Sequence, residues 1–165
     1  PNRIGILGFS AGGHLASTVA THFNESFVEP RDAIDRVSRR PDFAVLVYPV
    51  IAFGEPFTHY GSQHNLLGRD ADKSLVEKFS NEKQVTPQTP PTFLFHTWED
   101  TAVPPENSIL FYLALRKAKV PAEMHIFLKG PHGIGLGAKS GAASAWPGLC
   151  EKWMDASGFL KAGRQ

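Results

Sequence analysis

The sequence has little cysteine and no excess of charge of either sign. Its 165 residues include one cysteine, Cys150, which excludes an intramolecular disulfide framework and a multi-cysteine zinc site. We interpret Cys150 as a small buried hydrophobe on a helix rather than a reactive thiol. Seventeen Lys and Arg against 16 Asp and Glu leave a formal net charge of +1 without a basic block. Nucleic acid and anionic membrane surfaces are therefore not expected partners.

Long hydrophobic runs are also missing. No apolar stretch approaches the ~20 residues that a membrane-spanning helix needs, so no membrane partner is expected. No signal peptide opens the chain, but Pro1-Asn2-Arg3 does not resemble a natural N-terminus, so the sequence assigns no cellular compartment. With 42% hydrophobic and 20% charged residues, the composition is that of an ordinary globular domain.

Short apolar runs alternate with helical patterns along the chain. Strands are predicted at 4–8, 42–48, 92–96 and 123–128. Helices are predicted at 14–23, 73–79, 106–119 and 144–157, the last one ended by Gly158. The rest of 51–88 is interpreted as irregular, and the continuous apolar run at 4–8 indicates a strand buried on both faces. The alternation predicts an α/β fold, with a mostly parallel sheet and flanking helices, in one domain over residues 1–165.

A serine stands at the first strand-to-helix junction, in Gly8-Phe9-Ser10-Ala11-Gly12. In a G-x-S-x-G pattern at such a junction, small neighbours let the backbone adopt the strained turn that exposes a nucleophile. The following helix directs the positive end of its dipole at the serine. The pattern therefore predicts Ser10 as a nucleophile, and an ordinary tight turn is the alternative.

A nucleophilic serine needs a base, and the base needs an acid that orients it. Asp100 follows the third predicted strand and His132 follows the fourth, where ligand sites of parallel sheets gather. We predict His132 as the base, with an exposed loop histidine as the alternative. We predict Asp100 as the acid because a short carboxylate near Val103 suits a rigid loop, and Glu99 remains the rival.

Other polar and aromatic residues have weaker claims. His14 either lines the site or packs, and packing is favoured. His59 and His64 lack a third ligand, so no metal site is expected. Glu82 is interpreted as a solvated loop charge, with contact to a sugar hydroxyl as the alternative. Three more histidines are interpreted as hydrogen-bonded residues of strands and helices: His22, His96 and His125. Four aromatic residues are equally candidate pocket walls or core: Tyr48, Phe53, Phe57 and Trp98.

With these residues the sequence resembles the α/β-hydrolase superfamily, and within it the acetyl-esterase or acetylxylan-esterase-like branch. The motifs that carry the resemblance are Gly8–Ala16, Tyr48–Ile51, Pro91–His96 with Asp100 and Val103-Pro104, and Gly130–Gly133. The resemblance implies a Ser10–His132–Asp100 triad, no cofactor and no metal.

Family members carry strands and an oxyanion loop before the nucleophile, and only seven residues precede Gly8. The chain therefore resembles the C-terminal portion of the fold. The Ala11 N–H would supply one oxyanion donor, and losing the second costs about 10²–10³ in rate. The first strand would also keep an unpaired edge, so we expect a homo-oligomer, a complementing N-terminal segment or an aggregation-prone product.

Three functions follow from the sequence. The first is a serine hydrolase of short carboxylic esters, with acetyl groups on carbohydrate suggested by the resemblance, acting on a small-molecule ester. The second is a peptidase of the prolyl-oligopeptidase type, which shares the order of the three residues. The third is a catalytically incompetent binding protein on a hydrolase fold, favoured by the missing oxyanion loop.

Overall fold

The structure is a computed structural model that describes residues 3–25 and 29–160. Within these residues one sheet contains four strands: β1 (Gly5–Phe9), β2 (Phe43–Val47), β3 (Thr92–Thr97) and β4 (Ala122–Phe127). Their order in the sheet is their order in the chain, and all neighbours are parallel. Phe9 is opposite Val47 and Val47 is opposite Phe95, so the carboxyl ends of the strands lie level. The predicted α/β class with a parallel sheet is confirmed.

Helices connect the strands and follow the last one. Their bounds are α1 (Ala11–His22), α2 (Tyr60–Leu67), α3 (Lys73–Lys78), α4 (Glu106–Lys117) and α5 (Trp146–Ala156), with 3₁₀ turns at Asn81–Gln84 and Gly141–Ala145. Gly158 follows α5 with a φ of 80°, as its predicted role as a helix stop requires. In the part of the chain that the structure describes, no helix is long and apolar enough to cross a membrane.

The sequence patterns misplaced two helix starts and missed one helix. α1 begins at Ala11, three residues before its predicted start, and α5 begins at Trp146 after a 3₁₀ turn. α2 was predicted as irregular because it buries only Gln63 and so shows no apolar periodicity. Its N-cap is His59, whose side chain accepts a hydrogen bond from the Ser62 N–H in place of a more usual cap.

Alternate side chains of β2 enter two hydrophobic cores. Ala44 and Leu46 pack with α1 and α4 on one face of the sheet. Val45 and Val47 pack with α5 on the other face. Each fully buried large aliphatic side chain contributes about 1.5–3 kcal/mol relative to exposure. The sheet is thus held between two helical layers, which makes it a rigid support for the loops at its carboxyl edge.

β1 is an edge strand among the described residues and pairs only with β2. Ile4 is 56% exposed and Leu7 is 52% exposed, so the predicted burial of this strand on both faces is wrong for the described chain. The apolar run indicated burial because a continuous apolar sequence is typical of a strand that is covered on both faces. This composition is the same whether or not the covering elements are among the described residues. The expected partner copy or complementing segment at this edge stays a prediction.

Candidate active site

Ser10 lies in a strained turn between β1 and α1. Its φ of 53° and ψ of −121° fall in a region that residues with a side chain rarely adopt. Backbone hydrogen bonds hold the turn, because the Ser10 N–H donates to the Val47 carbonyl and the Ser10 carbonyl accepts from the Val50 N–H. Ser10 is the N-cap of α1, yet its Oγ makes no capping hydrogen bond. The hydroxyl bonds a residue far away in the sequence instead.

Two glycines allow this turn to form. A Cβ at Gly8 would lie 2.1 Å from the Gly12 carbonyl oxygen, and a Cβ at Gly13 would lie 2.6 Å from Pro49 Cβ. A Cβ at Gly12 would meet nothing within 4 Å. The steric requirement therefore falls on Gly8 and on Gly13, and the second glycine of the G-x-S-x-G pattern is not required for space.

The structure brings Ser10, His132 and Asp100 together at the carboxyl edge of the sheet. Ser10 Oγ lies 2.7 Å from His132 Nε2, and His132 Nδ1 lies 2.6 Å from Asp100 Oδ2. Since a carboxylate only accepts, Nδ1 carries the proton and Nε2 accepts from the serine hydroxyl. This arrangement can deprotonate Ser10 and stabilise the imidazolium that results. The catalytic role of the three residues stays a prediction at this point.

Glu99, the rival acid, does not contact His132. Its carboxylate accepts from Lys129 Nζ at 2.5 Å and from the Gly130 N–H at 3.3 Å. These bonds hold the pKa of the exposed Glu99 carboxyl below its ordinary value, with the Lys129 bond as the largest cause. Glu99 thus ties the loop after β3 to the loop after β4.

The Asp100 carboxyl is buried, and hydrogen-bond donors of the protein surround it. Its Oδ1 accepts from the Ala102 N–H at 3.1 Å and from the Val103 N–H at 2.9 Å. Burial alone would raise the pKa of Asp100, but hydrogen bonds from His96, Val103 and His132 outweigh it and hold the pKa below its ordinary value. Asp100 is therefore an ionised acceptor for the His132 Nδ1–H.

Tyr48, the residue that follows β2, supports the His132 loop. Its ring centroid lies 5.0 Å from that of His132 in an edge-on arrangement, and its hydroxyl accepts from the Gly135 N–H at 2.9 Å. Burial raises the pKa of Tyr48, so the phenol stays neutral in this role. Among the aromatic residues considered as pocket walls, Tyr48 thus packs against His132.

A cavity of about 430 Å³ begins at the N-terminal end of α1. Ala11 and His14 line it from α1, and Phe53 and Phe79 line it from the segment after β2. His14 both packs and lines the cavity: its ring stacks on Phe53 and its Nε2 donates to the Phe79 carbonyl at 2.8 Å. Burial lowers the pKa of His14, which keeps it neutral. Trp98, in contrast, is 65% exposed and does not line this cavity.

The remaining polar candidates have structural contacts. His59 caps α2 and His64 contacts the ring of Tyr60. Over residues 3–25 and 29–160, no three His, Cys, Asp or Glu side chains are grouped so that they could hold a metal ion.

Glu82 is not a solvated charge, because both carboxyl oxygens are buried without a hydrogen-bond partner. Burial raises the pKa of Glu82 to about 7. Its sequence neighbours gave no sign of this burial.

The parallel sheet, its flanking helices and the strained serine turn define the chain as an α/β-hydrolase. Residues 1–146 match the model of the prolyl oligopeptidase family. The chain belongs to this family.

Its relatives include enzymes named for xylan. The chain is 41% identical over 146 residues to "Endo-1,4-beta-xylanase B" of Butyrivibrio fibrisolvens, covering 88% of this chain and 22% of that protein. It is 36% identical over 141 residues to "Acetylxylan esterase" of Xylanibacter ruminicola, covering 83% of this chain and 27% of that protein. The crystal structure of an acetyl ester-xyloside bifunctional hydrolase from Caldicellulosiruptor lactoaceticus superposes with a TM-score of 0.93 at 52% identity, covering 98% of this chain and 59% of that chain. The chain thus spans about a quarter of its curated relatives.

Proposed function

We propose that this chain is the nucleophile-bearing part of a serine hydrolase that cleaves short-chain carboxylic esters, with acetyl groups on carbohydrate as the favoured substrate. The observation that carries the proposal is the continuous hydrogen-bonded path from Ser10 Oγ through His132 to Asp100, at 2.7 and 2.6 Å. The names of the relatives, an acetylxylan esterase and an acetyl ester-xyloside hydrolase, support the choice of ester.

The proposed reaction has two steps. His132 Nε2 takes the Ser10 proton while Ser10 Oγ attacks the ester carbonyl carbon, and the Ala11 N–H donates to the resulting oxyanion. Ala11 suits this role because it is the first residue of α1, where an N–H has no acceptor within the helix. His132 then protonates the departing alcohol oxygen, leaving acyl-Ser10. In the second step His132 activates water, which releases the acid and restores Ser10. No step uses a metal or an organic cofactor.

We place the substrate in the cavity that begins at Ala11. Its lining surface is mainly apolar, and its polar residues are His14 and Thr18 of α1 and Ser62 and Asn65 of α2. A volume of about 430 Å³ is much larger than an acetyl group, so it leaves room for part of the alcohol.

The first test is hydrolysis of p-nitrophenyl acetate by the chain and by Ser10→Ala. Ser144→Ala is the matched control, because Ser144 is exposed and donates to the Gly141 carbonyl. We expect turnover to fall to background in Ser10→Ala and to be unchanged in Ser144→Ala. Equal rates in the wild type and Ser10→Ala would refute the proposal. Acetate release from acetylated xylo-oligosaccharide then tests the substrate.

A peptidase is the second candidate, because the family that matches residues 1–146 is named for prolyl oligopeptidase. A prolyl-peptide p-nitroanilide cleaved faster than p-nitrophenyl acetate would favour it. Labelling of Ser10 by a fluorophosphonate separates both hydrolases from a binding protein on the same fold, which would not label.

A further inference from the structure

Asp100 is contacted by a second histidine that the proposed reaction does not use. His96 lies in β3 and is fully buried. Its Nε2 lies 3.4 Å from Asp100 Oδ2, the oxygen that also faces His132 Nδ1. The same Nε2 lies 2.8 Å from the Val103 carbonyl oxygen, and Nδ1 lies 2.7 Å from Ser108 Oγ.

These contacts determine the tautomer of His96. Two oxygens that only accept face Nε2, so Nε2 carries the proton and donates mainly to Val103, with Asp100 as the longer second acceptor. Nδ1 is then the acceptor, and Ser108 on α4 donates its hydroxyl proton to it.

Two hydrogen bonds and one longer contact link His96, Val103 and Asp100 in a ring, the longer contact being the 3.4 Å between His96 Nε2 and Asp100 Oδ2. Val103 donates its N–H to Asp100 Oδ1 and accepts the His96 Nε2–H on its carbonyl. His96 therefore restrains both the carboxylate and the loop that carries it. Because His96, Val103 and Asp100 are buried, removing the Nε2–H would leave the Val103 carbonyl without its donor and Asp100 without one of its contacts.

We propose that His96 is a positioning residue: its Nε2–H holds the Asp100 carboxylate in the orientation that His132 needs, and Ser108 sets the tautomer that makes this donation available. The role deepens the proposed function and rests on it, since an oriented His132 matters only if His132 is the base.

Two near-isosteric variants separate this role from a purely structural one. His96→Gln keeps an N–H donor at the place of Nε2, facing Val103 and Asp100. His96→Asn keeps a polar group only at the place of Nδ1, facing Ser108. We expect His96→Asn to lose about 10–100-fold in kcat with little change in KM, because small misplacements of catalytic groups have effects of this size. His96→Gln should recover most of the loss. If His96 only ties β3 to α4, His96→Asn would equal or exceed His96→Gln in kcat, and the proposal would be wrong.

Nuclear magnetic resonance of the full chain tests the proposal without turnover. In the wild type, ¹⁵N shifts should show His96 as the Nε2–H tautomer, and this needs no folded variant. A His96 Nδ1–H tautomer would overturn the proposal. The low-field proton of His132 Nδ1–H should be lost or broadened in His96→Asn and retained in His96→Gln. An inactive wild type with these spectra would refute the esterase function and leave the positioning of Asp100 standing.

Discussion

Gly13→Ala is expected to damage the serine turn, and Gly12→Ala is its matched control. The two glycines are adjacent in the first turn of α1, and only Gly12 belongs to the G-x-S-x-G pattern. The motif therefore predicts that Gly12 cannot be replaced, whereas the structure indicates that Gly13 cannot be replaced.

The size of the effect follows from the contacts. The added Cβ at position 13 would lie 2.6 Å from Pro49 Cβ and 2.8 Å from Pro49 Cα, against ordinary contacts that begin at 3.4 Å. Pro49 would have to move by about 0.8 Å, although the neighbouring Val50 N–H is bonded to the Ser10 carbonyl. Overpacking of this kind costs about 1–3 kcal/mol. Gly12→Ala meets nothing within 4 Å and should gain up to about 1 kcal/mol of helix stability.

Urea unfolding measures the change in stability, and the rate of fluorophosphonate labelling of Ser10 measures the damage to the serine turn. We expect Gly13→Ala to be less stable than Gly12→Ala by about 1–3 kcal/mol, the cost of overpacking, because both positions lie in α1 and share the helix gain of Gly→Ala. Labelling of Gly13→Ala should slow by about tenfold or more, because Ser10 moves with Pro49. Equal stabilities and equal labelling rates in the two variants would refute the steric argument.

Three further changes test other parts of the structure. Because burial raises the pKa of Glu82 to about 7, from an ordinary value of 4.5, the folded chain holds a proton that the unfolded chain releases between these pH values. Stability should therefore rise as the pH falls from 7 to 4.5. At pH 8 Glu82→Gln should be more stable than the wild type by up to about 3 kcal/mol, since each pKa unit corresponds to about 1.4 kcal/mol. A gain of equal size at pH 4.5 would contradict this explanation. Cys150 is 4% exposed and burial raises its pKa to about 11, so iodoacetamide should modify it only in denaturant, and fast native labelling would place it elsewhere. Tyr48→Phe removes the acceptor of the Gly135 N–H and should cost about 1 kcal/mol and slow Ser10 labelling, whereas the exposed Tyr60→Phe should do neither.

Much of the architecture was readable in the chain. The parallel sheet and most helices were predicted because β2 and β3 are short apolar runs and α4 follows Pro104-Pro105, which are local signals. α2 was not predicted because its only buried residue is Gln63 and its N-cap is His59. Its sequence therefore shows neither apolar periodicity nor a usual capping residue.

The candidate site shows the same division. Local patterns identified Ser10 at a strand-to-helix turn, and the positions of Asp100 and His132 after later strands indicated one edge of a sheet. The sequence favoured Asp100 over Glu99 as the acid. That Asp100 contacts His132 whereas Glu99 contacts Lys129 depends on how the two loops lie in space, which the sequence alone does not give.

By itself the sequence determined the fold class and which residue types could act together, because backbone periodicity and turn chemistry are local properties. Only the tertiary structure decided that Gly13 rather than Gly12 must lack a side chain, that the Glu82 carboxyl is buried, and that His96 shares Asp100 with His132. Each of these depends on atoms that are distant in the chain and meet only when the sheet and its helices pack.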